Sequence, residues 1–119
     1  LRPNEWEHLC DPGRGTTLIT RPIHEPGRFI ALSHLMRTEA TSVREMGLLV
    51  EDEWQARGLG TALTRSIVDL ARTHTLDCEV VTVMTGSDNR RMLSILSRMG
   101  AEVPNVRSAT VEATIRVRR

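Results

Sequence analysis

The stretch 54-WQARGLGTAL-63, from Trp54 to Leu63, sets two glycines, Gly58 and Gly60, where a helical pattern begins. A glycine inside a helix costs about 1 kcal/mol relative to alanine, so the pair needs a reason. One reason is an ordinary turn leading into the helix. The other is close approach. Without side chains in the way, the unpaired amides of a first helical turn lie open, and with the helix dipole they favour a bound anion. Both readings place a loop-to-helix junction here, and the flanking segments decide what sheet it serves.

Upstream, "VREMGLLV" (Val43–Val50) reads as a strand with Val43, Glu45, Gly47 and Leu49 on one face and Met46, Leu48 and Val50 on the other. "TLIT" (17–20) and "RFIALSHLM" (Arg28–Met36), separated by the turn "HEPG" and followed by "RTEATS", make the first two strands of an antiparallel meander. Downstream of the polar loop "EDEWQAR", a helix from Gly58 to about His74 carries Leu59, Leu63, Ile67, Leu70 and Ala71 as its sheet-facing stripe. "CEVVTVMT" (Cys78–Thr85) is apolar at nearly every position and predicts a central strand covered on both faces. A second helix follows "GSDN", with Ser87 or Asp88 as N-cap, Met92, Leu96 and Met99 as buried stripe and Gly100 as the closing glycine. "ATVEATIRV" then alternates, with Val111, Ala113, Ile115 and Val117 on one face. The order β-β-β-α-β-α-β-β is a mixed α/β (α+β) domain over 17–119. Residues 1–16, broken by Pro3, Pro12, Gly13 and Gly15, form an irregular leading segment in which "NEWEHL" is at most one short helix.

Composition narrows the function. A chain of 119 residues holds one core, and a net charge of +1 gives no global field for nucleic acid or an anionic membrane. All 16 basic residues are arginines, which removes the lysine that a Walker-type phosphate loop requires. Cys10 and Cys78 have neither metal nor redox spacing, so reduced thiols and no metal are expected. No apolar run approaches a membrane span and no signal peptide opens the chain, so the expected location is the cytoplasm. The first residue is Leu rather than Met, an opening that suggests missing upstream residues.

A dinucleotide fingerprint fails here, because its third glycine is Leu63 and seven residues separate Val50 from Gly58. "LLVEDEWQARGLGTAL" instead resembles the acetyl-CoA motif of the GNAT superfamily of N-acyltransferases, Q/R-x-x-G-x-G/A, with Gln55, Gly58 and Gly60 on the marked positions. "NRRMLSILSRMGAEV" (Asn89 to Val103) resembles the family's second signature, and the likeness runs from about Thr17 to the C-terminus. It implies acetyl-CoA as co-substrate. Leu48, Leu49 and Val50 would pair with the pantetheine arm, and Gln55, Ala56, Arg57, Gly58, Leu59, Gly60 and Thr61 would hold the phosphates. Asn89 would bond the arm from across the cleft, if it is not simply a helix-start residue. The family's strand usually bulges at the thioester, an irregularity that Gly47 would tolerate.

Acetyl transfer to an amine needs that amine neutral, and a lysine-like amine has a pKa of about 10.4, so a base is required. Glu45 is the first candidate, against the bland reading of a solvated sheet-face carboxylate; it resembles the strand glutamate of GNAT lysine acetyltransferases. His34 on the neighbouring strand is the second. A backbone amide near Leu49 would stabilise the oxyanion. Glu51, Asp52 and Glu53 read as a solvated charge run. Arg90 and Arg91 stand in a first helical turn, where the dipole disfavours cations, so they are either solvated or facing a coenzyme phosphate.

Three departures from the family pattern stand out. Leu96 occupies the position of a tyrosine that protonates the leaving thiolate, and the chain has no Tyr. Ala101 replaces a Phe. The strand and two helices that precede the meander in the family have only about sixteen residues here, so either the chain is a piece or its acceptor site is open. The expected activity is acetyl transfer to a primary amine, first a protein lysine and second a small-molecule amine. The alternative is a degenerate domain that binds acyl-CoA as a sensor or partner module. A homodimer is left open.

Overall fold

The computed structural model describes residues 15–25, 27–55, 58–75, 77–104 and 108–118; "NEWEHL", Cys10, Ala56 and Arg57 fall outside them. The alternating segments become strands β1 (Gly15–Thr20), β2 (Ala31–Arg37), β3 (Val43–Val50), β4 (Val80–Gly86) and β5 (Thr110–Arg116), lying side by side in that order. The first three form the antiparallel meander. β4 runs parallel to β3, which demands a crossover, and helix α1 (Leu59–His74) supplies it. Helix α2 (Arg90–Arg98) links β4 to antiparallel β5.

One face of the sheet carries Leu35, Met46, Val81, Val83, Ala113 and Ile115, none more than 3% exposed. Against it α1 lays Leu63, Ile67, Val68 and Ala71, and α2 lays Met92 and Leu96. Thr64 is buried in the same stripe because its hydroxyl donates to the Gly60 carbonyl at 2.7 Å. Leu59 and Leu70 sit at the margins of the stripe. Met99 packs on the edge of this core, and Val111, Ala113, Ile115 and Val117 are all buried, as their alternation implies.

Four expectations change. β4 is not covered on both faces: Val80 and Thr82 are half-buried, and Met84 is 60% exposed. Among the described residues both helices lie on one side, and Val80 has Val43 as its lateral neighbour. The N-cap of α2 is Asn89, whose Oδ1 accepts from the Met92 amide at 3.2 Å. Ser87 and Asp88 make the turn off β4 instead, with the Ser87 amide donating to the Ala109 carbonyl and the Asn89 amide to that of Gly86. The strand expected before β5 reduces to one bridge, Glu102 with Thr114. Pro104, two residues on, has no amide with which to extend a ladder. Finally, β2 and β3 pair without interruption from Ala31–Val50 to Arg37–Arg44, so β3 has no bulge at Gly47.

The C-terminal end of α1 is closed by an arginine from beyond β5. Arg118 donates to the carbonyls of Arg72 (2.7 Å), Thr75 (3.0 Å) and Cys78 (2.9 Å), where helix carbonyls lack partners and the dipole favours a cation. Arg118→Ala is expected to lower stability by about 1–3 kcal/mol, the range for hydrogen bonds to charged groups. Urea unfolding checks this; an unchanged midpoint would mean that water replaces the guanidinium without loss. Cys78 is a buried free thiol donating to the Val80 carbonyl. Among the described residues no helix is long and apolar enough to cross a membrane.

Candidate functional site

β3 and β4 pair only from Val43–Val80 to Met46–Val83, although β3 continues to Val50 and β4 to Gly86. Beyond Met46 the strands part. The Val80 amide donates to the Ser42 carbonyl, and backbone groups alternate sides along a strand, so Arg44, Met46, Leu48 and Val50 turn theirs toward β4. The Glu51 amide donates to the Ile30 carbonyl at 2.8 Å, which fixes the other set: Gly47 and Leu49 turn toward β2. Leu48 and Val50 therefore present backbone at the gap. Both line a cleft of about 530 Å³ on the helix-covered side, with α2 as its far wall.

The two glycines at the other end of this cleft have separate reasons. Gly58 is the N-cap of α1 with φ +82°, a left-handed conformation that side chains disfavour. Gly60 is inside the helix. A Cβ there would meet Ile95 Cδ1 at 3.1 Å, so its absence lets α1 approach α2. Among the described residues no side chain caps α1, and its first turn has no acidic residue. The first helical bond shown is Ala62 N–H to the Gly58 carbonyl, so the amides of Leu59, Gly60 and Thr61 precede the ladder. Gly58, Gly60 and Thr61 line the cleft and Leu59 does not.

Gln55 braces the cleft. Its Nε2 donates to the Val50 carbonyl (3.0 Å) and to Asp52 Oδ1 (3.3 Å), and its Oε1 accepts from Arg91 Nη1 at 3.0 Å. The loop behind it is fastened by Arg28, which pairs with Glu51 at 2.5 Å and with Glu53 and Glu25. Glu51 and Glu53 are thus exposed but tied, rather than a free charge run. Arg90, Arg91 and Arg98 all line the cleft, with no carboxylate among its described lining residues. Arg98 was not singled out from sequence. The spacing of Arg91, Ser94, Ile95 and Arg98 on one helical face was the available signal. Asn89 also lines the cleft, although its Oδ1 is engaged as the α2 cap.

Other expected residues lie elsewhere. Leu49 pairs with Leu32, and its side chain, 63% exposed, stands on the open face of the sheet. Glu45 is exposed on that same face, beside Thr82 of β4. His34 is there too, opposite Gly47 and half-buried; burial lowers its pKa from the ordinary 6.5, and the charge of Glu45 partly offsets this. Leu96 is fully buried in the core and does not reach the cleft.

This geometry joins a basic, amide-rich cleft on one face of a parted strand pair to titratable groups on the other. The profile of the Acetyltransferase (GNAT) family matches residues 5–101. No curated protein sequence matches. Among solved structures, the fold is similar to the GNAT domain of S. lividans PAT, at 19% identity over 98% of this chain and 69% of that one, TM-score 0.79. It is also similar to spermidine N-acetyltransferase from Vibrio cholerae in complex with CoA and spermine (12% identity, 95% and 72% coverage, TM-score 0.75). A third likeness is the IAA acetyltransferase from Bacillus cereus ATCC 14579 (16%, 97% and 85%, TM-score 0.75). With its profile match spanning most of the chain and its sheet parted at the cleft, the chain belongs to the GNAT family of acetyltransferases.

Proposed function

We propose that this protein transfers the acetyl group of acetyl-CoA directly to a primary amine, in the cytoplasm. One observation carries the reading: parted strands lead into a cleft that ends at the bare N-terminus of α1, flanked by three arginines. The pyrophosphate sits on the amides after Gly58, and Arg90, Arg91 and Arg98 face coenzyme phosphates. The pantetheine arm runs along Leu48 and Val50, with Asn89 opposite. These groups fit the coenzyme because each offers donors or positive charge to an anionic, amide-bearing chain.

The thioester then lies in the gap, reachable from the open face, where Glu45 takes up the amine's proton directly or through an intermediary. Glu45 and Leu49, exposed on that face, leave room for a lysine side chain of another protein as acceptor. The spermine-bound Vibrio enzyme has the same fold and favours a small polyamine as the second reading. A thiol pKa of about 8.5 lets thiolate leave near neutrality without the tyrosine that this chain lacks.

Native mass spectrometry with acetyl-CoA, followed by thiol release on a panel of lysine peptides and free amines, tests the proposal. Expected are one coenzyme per chain and turnover of at least one amine class. Coenzyme binding with no turnover would favour the alternative of an acyl-CoA sensor, a reading that the buried Leu96 supports. No coenzyme binding would overturn both.

A further inference from the structure

We propose that His34 is the intermediary in that proton transfer, and that Gly47 is glycine in order to seat its imidazole at the mouth of the gap. The inference rests on the transferase reading above. His34 and Gly47 are direct cross-strand partners. A Cβ built on Gly47 would lie 2.3 Å from both Cε1 and Nε2 of the ring, closer than atoms can approach. The Cε1–Nε2 edge of the ring therefore fills the space beside the Gly47 backbone, and any side chain at that position would displace it. Gly47 follows Met46, the last residue that β3 pairs with β4, so the imidazole stands where the strands begin to part.

The groups facing the ring are few among the described residues. β3 presents Glu45, two residues from the seat on the same face, and β1 presents Thr17 opposite His34. β4 contributes Thr82 beside Glu45, and β5, further out, has Glu112 and Arg116 on this face. Glu45 is thus the nearest charge, and it favours the protonated ring, while burial opposes it. The ring is consequently neutral and able to accept near pH 7, with an adjacent carboxylate to pass the proton to solvent.

The step balances. An ammonium acceptor gives one proton to a ring nitrogen, and its freed lone pair attacks the thioester carbonyl carbon. The C–S bond then breaks, and its electron pair leaves on the thiolate. The tetrahedral nitrogen loses a second proton, which ends on the thiol. The first passes from His34 to Glu45 and to water, so one proton is released per turnover.

The test is the pH dependence of kcat/KM for the wild type, His34→Gln, Gly47→Ala and Glu45→Gln, with His34 titrated by NMR. Wild-type rate should fall as pH drops through the His34 pKa, below 6.5. His34→Gln should lose that limb and about 10²–10⁴-fold in kcat/KM, the usual range for a general base, with coenzyme affinity unchanged. Gly47→Ala should keep the histidine but misplace it, costing on the order of 10²-fold. Glu45→Gln should move the limb and the NMR titration together to lower pH without abolishing the limb. A His34→Gln enzyme within about threefold of the wild type, far short of the general-base range, would overturn the relay. So would a limb that vanishes in Glu45→Gln while the His34 titration persists. A wild type inactive on every amine would sink the transferase reading itself, a failure distinct from an active enzyme indifferent to His34.

Discussion

Gly60→Glu is expected to weaken acetyl-CoA binding by on the order of 10²–10³-fold while leaving the protein folded. At an effective dielectric of about 20, one carboxylate roughly 4 Å from one phosphate charge costs about 4 kcal/mol, and about 1.4 kcal/mol is tenfold. Residue 60 lines the cleft in the first turn of α1, so the new carboxylate enters the region assigned to the pyrophosphate. Unlike Gly58, Gly60 has no positive φ, so a side chain brings no backbone strain.

The steric cost is separable. A Cβ at residue 60 presses on the flexible end of Ile95, 3.1 Å away, which must yield by a few tenths of an ångström. Gly60→Ala measures that alone: helix propensity gains about 1 kcal/mol, which offsets the crowding. Its coenzyme affinity should stay within about tenfold of the wild type, a difference of about 1.4 kcal/mol. Calorimetry on both variants, with urea unfolding as the folding control, decides the matter. If Gly60→Glu binds as well as Gly60→Ala, charge at that position is not near a phosphate and the pyrophosphate lies elsewhere.

Why the two glycines differ could not be read from the sequence, because the difference is tertiary: one answers to its own φ, the other to Ile95 on a different helix. The same holds across the molecule. β3 was legible to the residue, Val43–Val50, because a half-buried strand writes its faces as alternation. The stripe on α1 and the alternation of β5 were legible for the same reason. β4 was misread because a continuous apolar run does not say whether its second face meets a layer or only a lateral neighbour. The α2 cap was misplaced by one or two residues, since Ser87, Asp88 and Asn89 are all cap formers and only the turn off β4 selects among them. At the site, a motif names positions but not the direction of a backbone group. Gly47, expected at a bulge, serves a ring on β2 that is thirteen residues earlier in sequence, and only the strand register brings the two together.

Strand parity also decides which amide can meet the oxyanion. The resemblance pointed to Leu49, but Leu49 turns its amide toward β2, whereas Leu48 turns its own toward the gap. An oxyanion forming between the parted strands would find the Leu48 amide. Replacing residue 48 by its α-hydroxy analogue converts that amide to an ester, deleting the N–H while keeping the side chain. Turnover should fall about 10²–10³-fold, the loss seen when one oxyanion donor is removed. The same exchange at residue 49 deletes a donor facing β2, so it should cost about 1 kcal/mol of stability and leave turnover nearly unchanged. Single-turnover acetyl transfer and urea unfolding, measured on both esters, separate the outcomes. A loss at residue 49 but not 48 would mean that β3 bulges when the coenzyme binds and restores the family's irregular strand. Equal activity in both would remove the β3 amides from the chemistry and leave the oxyanion to water or to the acceptor's own protein.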